Sequence, residues 1–496
     1  MSELVLTIDQ GTSATKSVLF DRKAQIVGRA DVESKSYFPQ PGFVEQNPVE
    51  LYENTLASIK LCISEATKSS PEIPSRIRAI GISNQRETFL LWDEKGEPLS
   101  NAIVWQCKRS IPVCERLKGS KVEDEIKTRT GLILDPYFSG AKLYCLIENS
   151  PEVKEAVTSG KAFFGTIDTW LLFKLTKGRS YFTDFTNAAR TLLFNIHTLD
   201  WDETLIEAFG AKGIHTPEAL PSSFKFGSSD LNGMLPEPIP ITGMIGDSHA
   251  AAFGEGCFQP GQAKATLGTG SSILCNTGSS PSTSEHGMVT TICWSMEERL
   301  DYALEGIIVT CGATIKWLRD QLELFSSSTE TEAIARSLDD NGGVYLIPAF
   351  SGMGAPHWKM DARASIVGLT FGANKKHVIR AALESVAYQI KDVITSMEKD
   401  SGVVLSELKV DGGMTSNRWL MQMISDLLGV RVATIGLEEV SALGAAYMAG
   451  LEAGIFESID ELATLRHTTQ YYDPNPEANG LLKSYAVWKS MINKHC

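Results

Sequence analysis

The stretch Leu4-Val5-Leu6-Thr7-Ile8-Asp9-Gln10-Gly11-Thr12-Ser13-Ala14-Thr15-Lys16-Ser17-Val18-Leu19-Phe20-Asp21 carries the first fold signal of the chain. Its apolar and β-branched residues predict strands over 4–8 and 16–20, joined by a tight turn of small residues. Asp9 ends the first strand, and Gly, Thr and Ser follow it. Backbone N–H groups and hydroxyls of such a turn can surround a phosphate, and the carboxylate can hold Mg²⁺ and its waters. The alternative is a surface hairpin whose Asp and Ser only satisfy turn geometry.

Two further glycine-rich turns follow apolar strands later in the chain. Ala265-Thr266-Leu267 runs through Gly268-Thr269-Gly270 into Ser271-Ser272-Ile273-Leu274, and Leu408-Lys409-Val410 runs into Asp411-Gly412-Gly413. Strand and helix patterns alternate throughout, which is typical of α/β proteins. Apolar periodicity predicts an amphipathic helix over 50–68, and the small-residue run over 442–456 predicts a buried helix. The three turns predict one nucleotide held between two halves of similar design. We therefore expect an internal structural duplication, although no sequence repeat reveals it.

The bulk properties restrict the class of protein. The 496 residues suffice for two or more domains, and 43% hydrophobic with 21% charged residues is typical of a soluble globular protein. The net charge of −14 argues against nucleic acid as a partner, because it would repel phosphate backbones. Nine scattered cysteines without CxxC spacing favour free thiols in a reducing compartment. A strand from residue 4 and the lack of a long apolar run predict a cytoplasmic protein without a membrane span.

Asp247 is a candidate general base. The segment Ile245-Gly246-Asp247-Ser248-His249-Ala250-Ala251-Ala252 follows an apolar strand and opens a small-residue helix, so the carboxylate stands at a helix N-terminus. A lone carboxylate that faces a cleft can accept a hydroxyl proton. Asp is also a favoured N-cap residue, and from this segment alone capping is the favoured interpretation.

Arg86 and Glu87 form a candidate polyol-binding pair. They follow a predicted strand over 77–83, and a guanidinium beside a carboxylate can donate to one vicinal hydroxyl and accept from the next. Trp105 offers an apolar wall for a carbon chain, and Tyr137 offers a hydroxyl from a turn. The alternatives are a salt-bridged surface turn for the charged pair and ordinary core packing for the aromatic residues.

Together these segments resemble the FGGY family of carbohydrate kinases, and within it the members that phosphorylate glycerol. The resemblance extends over essentially the whole chain, and so many motifs in the family's order leave little room for coincidence. The motifs that carry it are Asp9–Thr12, Pro41–Gln46, Asn84–Thr88, Asn101–Cys107, Asp135–Gly140, Gly165–Trp170, Leu193–Trp201, Tyr302–Gly306, Gly354–Pro356 and Val410–Gly413.

The resemblance implies a two-domain α/β fold of the actin/hexokinase/Hsp70 type, which is ribonuclease H-like, with an ATP cleft between the domains. The N-terminal domain would span 1–253 with the polyol site and the first phosphate hairpin. The C-terminal domain would span 254–496 with the second phosphate hairpin and the adenosine site. The implied reaction transfers the γ-phosphoryl group of ATP, with Mg²⁺, to a terminal hydroxyl of glycerol. Homodimers or homotetramers are common in the family.

Carried over by position, the family's site residues fall into three groups. Asp247 becomes the base for the attacking hydroxyl, and Asp9 and Asp247 lie at the metal. The polyol site takes Arg86, Glu87, Trp105, Tyr137, Asp247 and Ser248. Phosphate and nucleoside contacts take Thr12, Ser13, Lys16, Gly268, Thr269, Gly270, Gly312, Gly413 and Asn417.

Four positions depart from the family's pattern. Ser248 and His249 stand where the glycerol-phosphorylating members have two Gln, Ser272 where they have Phe, and Lys16 where they have Arg. The changes at Ser248 and Ser272 enlarge the pocket and add hydrogen-bonding groups, which predicts, as an alternative, a larger acceptor such as erythritol, a pentitol or xylulose. An ATP-driven switching protein of the same fold would have no purpose for the polyol constellation. A non-catalytic polyol sensor would not need to keep both Asp9 and Asp247.

Overall fold

Two mixed β-sheets form the core of the computed structural model, which describes residues 3–359, 361–437, 439–465, 468–476 and 480–495. The first sheet has the strand order β5-β6-β4-β1-β2-β3, in which β1 pairs antiparallel with β2, while β1, β4 and β6 are parallel neighbours. The predicted hairpin is confirmed, and its register places Asp9 opposite Lys16. The six strands are β1 (Leu4–Gln10), β2 (Ala14–Asp21), β3 (Ile26–Glu33), β4 (Ile77–Asn84), β5 (Ser223–Ser229) and β6 (Ile239–Gly246).

The second sheet has seven strands in the order β9-β10-β8-β7-β11-β12-β13. These strands are β7 (Gln262–Leu267), β8 (Ser271–Gly278), β9 (Val289–Met296), β10 (Arg299–Ile308), β11 (Glu407–Asp411), β12 (Arg431–Ile435) and β13 (Thr468–Tyr472). The hairpin predicted around Gly268-Thr269-Gly270 is the β7–β8 connection, and the strand predicted before Asp411 is β11.

The internal duplication predicted from the turns is present as a repeat of topology. The run β10-β8-β7-β11-β12 repeats β3-β2-β1-β4-β6 in order and in direction, with two antiparallel pairings followed by two parallel ones. Each half therefore places a glycine-containing hairpin turn at the carboxyl ends of its parallel strands. The domain division predicted between residues 253 and 254 falls in the β6–β7 connection and stays a prediction.

Helices cover both faces of the first sheet. α1 (Pro48–Ser69) packs on β2 and β3 from one side, and α4 (Val440–Glu452) packs on β1, β4 and β6 from the other. Because both faces are covered, β1 is buried along almost its whole length instead of alternating between apolar and polar positions. α1 matches the helix predicted over 50–68, and Asn47 caps it by accepting from the backbone N–H groups of Val49 and Glu50.

The remaining elements surround the two sheets. The long α3 (Lys375–Ser401) packs against the second sheet, and α2 (Asp247–Gly254) follows β6 directly. The shorter helices are Ile73–Arg76, Ile111–Leu117, Lys121–Thr130, Ser139–Asn149, Pro151–Thr158, Ile167–Leu175, Phe185–Ala188, Glu203–Ala208, Gly312–Asp320, Glu330–Arg336, Arg418–Leu428, Ile459–Thr464 and Gly480–His495, with a 3₁₀ turn at Gly413–Ser416. Small sheets are formed by Glu45–Gln46, Phe89–Trp92, Ala102–Ile103 and Phe163–Thr166, by Phe182–Asp184 with Glu218–Leu220, by Phe194–Asn195 with Asp200–Trp201, and by Tyr345–Ile347 with Ser365–Val367.

α4 joins the two halves, because it comes from the second half of the chain and lies on the first sheet. Its small residues are buried, as the predicted buried helix in this region requires. A Cβ atom at Gly444 would lie 1.8 Å from the carbonyl oxygen of Ala250 in α2, and one at Gly81 in β4 would lie 2.4 Å from the carbonyl oxygen of Ala445. The helix therefore touches backbone on two sides, which fixes the position of α2 and of Asp247 at its start.

The cysteines and helices also bear on the predicted setting of the protein. Eight cysteines are free thiols, and the ninth, Cys496, lies outside the described residues. None of the helices in the described part of the chain combines the length and the hydrophobicity that a membrane span requires.

Gly444→Ala should destabilise the protein by about 3 kcal/mol or more, because the added methyl group overlaps the backbone of α2 and the helices must separate. The midpoint of urea unfolding measures this. The matched control is Gly480→Ala, since a Cβ there meets no atom within 4 Å. Equal midpoints for the two variants would contradict the close contact.

Candidate active site

The predicted catalytic and polyol-binding residues meet at the carboxyl ends of β1, β4 and β6. Asp9 lies near the end of β1, Arg86 and Glu87 follow β4, and Asp247 follows β6. The three strands are parallel neighbours, so their carboxyl ends open onto one crevice, which is where α/β sheets bind ligands. Residues that are separated by up to 238 positions in sequence are thereby brought together.

A backbone hydrogen bond closes the first predicted phosphate turn, and side-chain hydrogen bonds join the turn to the predicted polyol-binding residues. The backbone N–H of Gly11 donates to the carbonyl of Ala14 at 3.0 Å, and Ser13 is exposed. The Thr12 hydroxyl donates to Gln85 Oε1 at 3.1 Å and accepts from the Trp105 indole N–H at 2.9 Å. A hydrogen bond thus joins Thr12, which is predicted to hold phosphate, to Trp105, which is predicted to face the polyol.

Lys16 has an ion-pair partner that the sequence did not indicate. Its Nζ lies 2.9 Å from Glu439 Oε2, just before α4, and Arg29 lies 3.1 Å from the other carboxylate oxygen. The Lys16 side chain is one-third exposed, whereas that of Glu439 is buried. The pair ties the first hairpin to the start of the helix that joins the two halves. Phosphate binding by Lys16 stays a prediction.

Asp9 and Asp247 form a donor set that suits Mg²⁺. Burial raises the pKa of Asp9 to about 6, Lys16 opposes this, and the nearby Asp247 carboxylate raises it further. A divalent cation between two such carboxylates would relieve their repulsion. Within the described part of the chain, no three His, Cys, Asp or Glu side chains are grouped around a point. Mg²⁺ commonly uses one or two carboxylates together with substrate phosphates and water, so the pair Asp9 and Asp247 would suffice as its protein ligands.

Asp247 is not an N-cap, so the favoured interpretation of its segment is wrong. Gly246 occupies the cap position, and Asp247 is the first residue of α2. Its Oδ1 accepts from the backbone N–H of Ser248 at 2.6 Å and lies 3.2 Å from Arg86 Nε. Its side chain is 38% exposed while Arg86 is nearly buried, so the carboxylate projects into the crevice with room for a ligand.

Arg86 and Glu87 are buried, so the surface-turn alternative is also wrong. They belong to a cluster of four charges completed by Arg190 and Glu305. Arg86 Nη2 lies 2.8 Å from Glu305 Oε1, Arg190 Nη2 lies 2.7 Å from Glu305 Oε2, and Arg190 Nε donates to Glu87 Oε1 at 2.6 Å. Although burial by itself raises it, Arg190 and Arg86 hold the pKa of Glu305 well below its usual range. Burial raises the pKa of Glu87 against the opposing effect of the same two arginines.

The backbone at Glu87 is strained. Its φ is +61°, in the left-handed region that favours glycine, and the Thr88 N–H donates to the Arg86 carbonyl at 2.7 Å across it. Such strain persists where the surroundings over-determine it, and it is concentrated at functional sites. Arg190 holds the Glu87 carboxylate, and the Ser139 hydroxyl donates to the Glu87 carbonyl at 2.8 Å.

Trp105 and Tyr137 form an aromatic wall beside the charged cluster. Their rings meet edge to face with centroids 5.4 Å apart, and both side chains are half-buried. They therefore line a surface rather than fill the core.

Ser248 and Ser272 are hydrogen-bonded to each other across the two halves. Their hydroxyl oxygens are 3.1 Å apart, and the Ser272 hydroxyl donates to Glu305 Oε1 at 2.9 Å. His249, which follows Ser248 in α2, is buried with Nε2 3.3 Å from Thr291 Oγ1. Burial, together with Arg86, lowers the pKa of His249 well below the ordinary value, so its imidazole is neutral near pH 7.

The predicted nucleotide residues of the second half converge at the β7–β8 turn. Gly268 and Thr269 are exposed, and the backbone N–H of Gly312 donates to the Gly268 carbonyl at 2.9 Å. A Cβ on Gly312 would lie 2.6 Å from the Gly268 carbonyl oxygen, so the helix Gly312–Asp320 can begin there only with glycine. A Cβ on Gly270 would lie 2.7 Å from the carbonyl oxygen of Ile308, so this position also excludes a side chain.

Gly413 lies beside this turn, and Asn417 follows the 3₁₀ turn that Gly413 begins. Gly412 packs its backbone against Leu267, which places the exposed Gly413 beside the β7–β8 turn. Asn417 caps the helix Arg418–Leu428 by accepting from Leu420 N–H at 3.0 Å, and its amide donates to Thr331 Oγ1 at 3.2 Å. Its predicted nucleoside contact stays a prediction.

The roles of Arg190 and Glu305 in this site were missed from the sequence. Glu305 lies among apolar residues of β10. Because a buried carboxylate needs a charged or hydrogen-bonding partner, its position in such a strand was the sequence feature that could have identified it. Arg190 lies 103 residues from Glu87 and 115 from Glu305, so no local pattern connects the three.

Glu305→Gln should destabilise the protein by about 3–5 kcal/mol, because it leaves two buried guanidinium groups with one carboxylate fewer. The midpoint of guanidinium unfolding measures this. Glu148→Gln is the control, since its pair with Arg116 is exposed and worth under about 1 kcal/mol. A Glu305→Gln midpoint equal to that of the control would contradict a paired charge cluster.

Comparisons with known proteins agree with this architecture. Residues 4–254 match the N-terminal domain of the FGGY family of carbohydrate kinases, and residues 263–453 match the C-terminal domain of the same family. The chain is 46% identical over 491 residues to a glycerol kinase of Symbiobacterium thermophilum, covering 99% of this chain and 98% of that protein. It is 44% identical to glycerol kinase 2 of Thermotoga maritima over the same shares of the two chains.

A solved structure shows the same fold. The Plasmodium falciparum glycerol kinase with ADP superposes with a TM-score of 0.93 at 36% identity, covering 100% of this chain and 98% of that one. A gluconate kinase from Lactobacillus acidophilus shares the fold at 21% identity, with a TM-score of 0.89. The predicted two-domain α/β fold of the actin/hexokinase type is confirmed. With its site at the carboxyl ends of the first sheet and its two matching halves, the chain belongs to the FGGY family of carbohydrate kinases.

Proposed function

We propose that the chain transfers the γ-phosphoryl group of ATP to a terminal hydroxyl of glycerol, giving glycerol 3-phosphate and ADP. The observation that carries this is the convergence of Arg86, Glu87 and Asp247 beside the wall of Trp105 and Tyr137. The full-length similarity to glycerol kinases supports the choice of acceptor.

The cluster suits a small polyol because it presents donors and acceptors side by side. Arg86 Nη1 is buried and has no hydrogen-bond partner among the described residues, so a donor remains for a ligand oxygen. The carboxylates of Glu87 and Asp247 accept from hydroxyls, and the aromatic wall covers the carbon atoms. A polyol with three contiguous hydroxyls can therefore accept from the guanidinium of Arg86 and donate to the carboxylates of Glu87 and Asp247.

In the reaction, Asp247 takes the proton of the attacking hydroxyl, and Arg86 orients its carboxylate through the 3.2 Å contact. The exposed turn residues Thr269 and Ser13, one from each half, would hold phosphate oxygens. Mg²⁺, held by Asp9 and Asp247, would neutralise negative charge on the phosphates. What the protein supplies is chiefly positioning and charge neutralisation, as is general for phosphoryl transfer.

A larger polyol or ketose is the second candidate acceptor, and the hydroxyl pair of Ser248 and Ser272 favours it. A carboxylate can only accept, so Ser272 donates to Glu305, and Ser248 must then donate to Ser272. Ser248 Oγ therefore keeps its lone pairs for an acceptor hydroxyl. A site that offers such a partner favours the substrate that supplies the matching hydroxyl.

We further infer that the protein acts in the cytoplasm on small molecules rather than on nucleic acid, in line with its net charge of −14. A homodimer or homotetramer is proposed from the family alone. Analytical ultracentrifugation distinguishes these states from a monomer.

Glycerol should give the highest kcat/KM in an assay of ADP formation with MgATP across glycerol, dihydroxyacetone, erythritol, ribitol and xylulose. The blank is Asp247→Asn, which retains the side-chain shape but cannot accept the proton, and it should lose at least about 100-fold in kcat. The blank must still show stabilisation by ADP in thermal unfolding, so that a folding defect is excluded.

The same panel separates the alternatives. If a longer polyol wins by about tenfold, roughly 1.4 kcal/mol of transition-state preference, the larger-acceptor candidate replaces glycerol. ATP hydrolysis that does not depend on any polyol would contradict both and would favour a switching protein.

The kcat/KM for MgATP should fall as the pH is lowered through about 6. The raised pKa of Asp9 means that its carboxyl takes up a proton below that value, and a protonated carboxyl no longer attracts Mg²⁺. The measurement is a pH series at saturating acceptor. Asp9→Asn should lower kcat/KM at all pH values and remove this limb, whereas a limb that survives in the variant would assign it to another group.

A further inference from the structure

Lys142 is a buried cation in the wall of the acceptor site. It is the fourth residue of the helix Ser139–Asn149, and its relative exposure is 0%. Its Nζ donates to the backbone carbonyls of Tyr137 at 2.7 Å, Trp105 at 3.1 Å and Val104 at 3.4 Å. Among the described residues, no carboxylate lies within ion-pair distance of it, and those of Glu87 and Asp135 act on it from farther away.

This arrangement is unfavourable for stability by itself. A buried ammonium without a carboxylate loses its hydration, and the start of a helix carries positive partial charge. Burial accordingly lowers the pKa of Lys142 to about 7. An apolar side chain would fill the space at lower cost, so the lysine needs another explanation.

The three carbonyls explain what the lysine does. Two of them belong to the backbone of Trp105 and Tyr137, which lie 32 residues apart on separate loops and whose rings contact each other. One turn of helix therefore contacts both aromatic residues through Lys142 and the strained Glu87 through Ser139. Each contact is to backbone, so it sets where the side chain starts without occupying the crevice.

We propose that Lys142 is a positioning residue for acceptor binding, which clamps the loops of Trp105 and Tyr137 so that their rings form one wall. The inference rests on the proposed function, since the wall is assigned there to the carbon chain of a polyol. Lys142 itself does not touch the acceptor. Its loss should therefore weaken acceptor binding while leaving Asp247 and the phosphate turns in place.

The test is steady-state kinetics of the full chain with glycerol and MgATP. Lys142→Met, which keeps the length but removes all donors, should raise KM for glycerol about tenfold or more. The kcat and the KM for MgATP should change by less than about threefold. Lys142→Gln, which keeps two N–H donors, should fall between Lys142→Met and the wild type.

Lys264→Met is the matched control. Lys264 is also buried, in β7, but its Nζ donates to the Thr266 hydroxyl at 2.9 Å and to no residue of the wall. The KM of Lys264→Met for glycerol should remain within about twofold of the wild type, since the loops of Trp105 and Tyr137 stay clamped by Lys142. A rise as large as that in Lys142→Met would indicate a general effect of losing a buried lysine and would overturn the proposal.

Two other outcomes would also overturn the proposal. One is an unchanged KM for glycerol in Lys142→Met. The other is a general defect, in which kcat falls and the KM values for glycerol and MgATP rise to a similar extent. If Lys142→Met does not fold, as judged by loss of stabilisation by ADP, Lys142→Gln decides by the same criterion. A wild type without glycerol-dependent turnover would instead contradict the proposed function, and the same variants would then be measured with the acceptor that the panel selects.

Discussion

Two guanidinium groups and two carboxylates, all nearly inaccessible to water, meet where the two halves of the chain face each other. Arg86 and Glu87 come from the end of β4, Glu305 from the second sheet and Arg190 from the segment between them. Each charge can be buried only because the others are present, since an unpaired one would lose its hydration without compensation. The cluster therefore requires both halves to be folded and in register before the acceptor site exists.

The strain at Glu87 follows from the same cluster. A residue with φ of +61° would relax unless it were held, and it is held at the carboxylate by Arg190 and at the carbonyl by Ser139. The result is a carboxylate placed beside Arg86 instead of on the opposite face of the strand end. Stability lost locally at one residue is offset by the surrounding ion pairs, and the gain is a preorganised pair of polar groups.

Close backbone contacts hold the predicted nucleotide-binding turn in place, as the charge cluster holds Glu87. Gly312 against Gly268 and Gly412 against Leu267 bring three separate segments to one turn, and Gly444 against Ala250 sets α2 and hence Asp247. These contacts leave no space for a side chain. Close backbone packing thus holds the predicted nucleotide turn and α2 in place, and Ser248 and Ser272 lie where the two halves touch.

Local sequence patterns were enough to predict the two hairpins, the strand before Asp411, α1 and the small-residue helix α4. Each depends on periodicity or turn chemistry within about 20 residues. The sequence also placed the site residues through their motifs, but it favoured capping for Asp247 and left a surface turn open for Arg86 and Glu87, because burial depends on the whole fold. The partners of these charges, the common strand order of the two sheets and the position of Lys142 emerge only in the folded chain. Arg86 and Glu305, for example, are 219 positions apart, and no local pattern records which distant groups share a low-dielectric site.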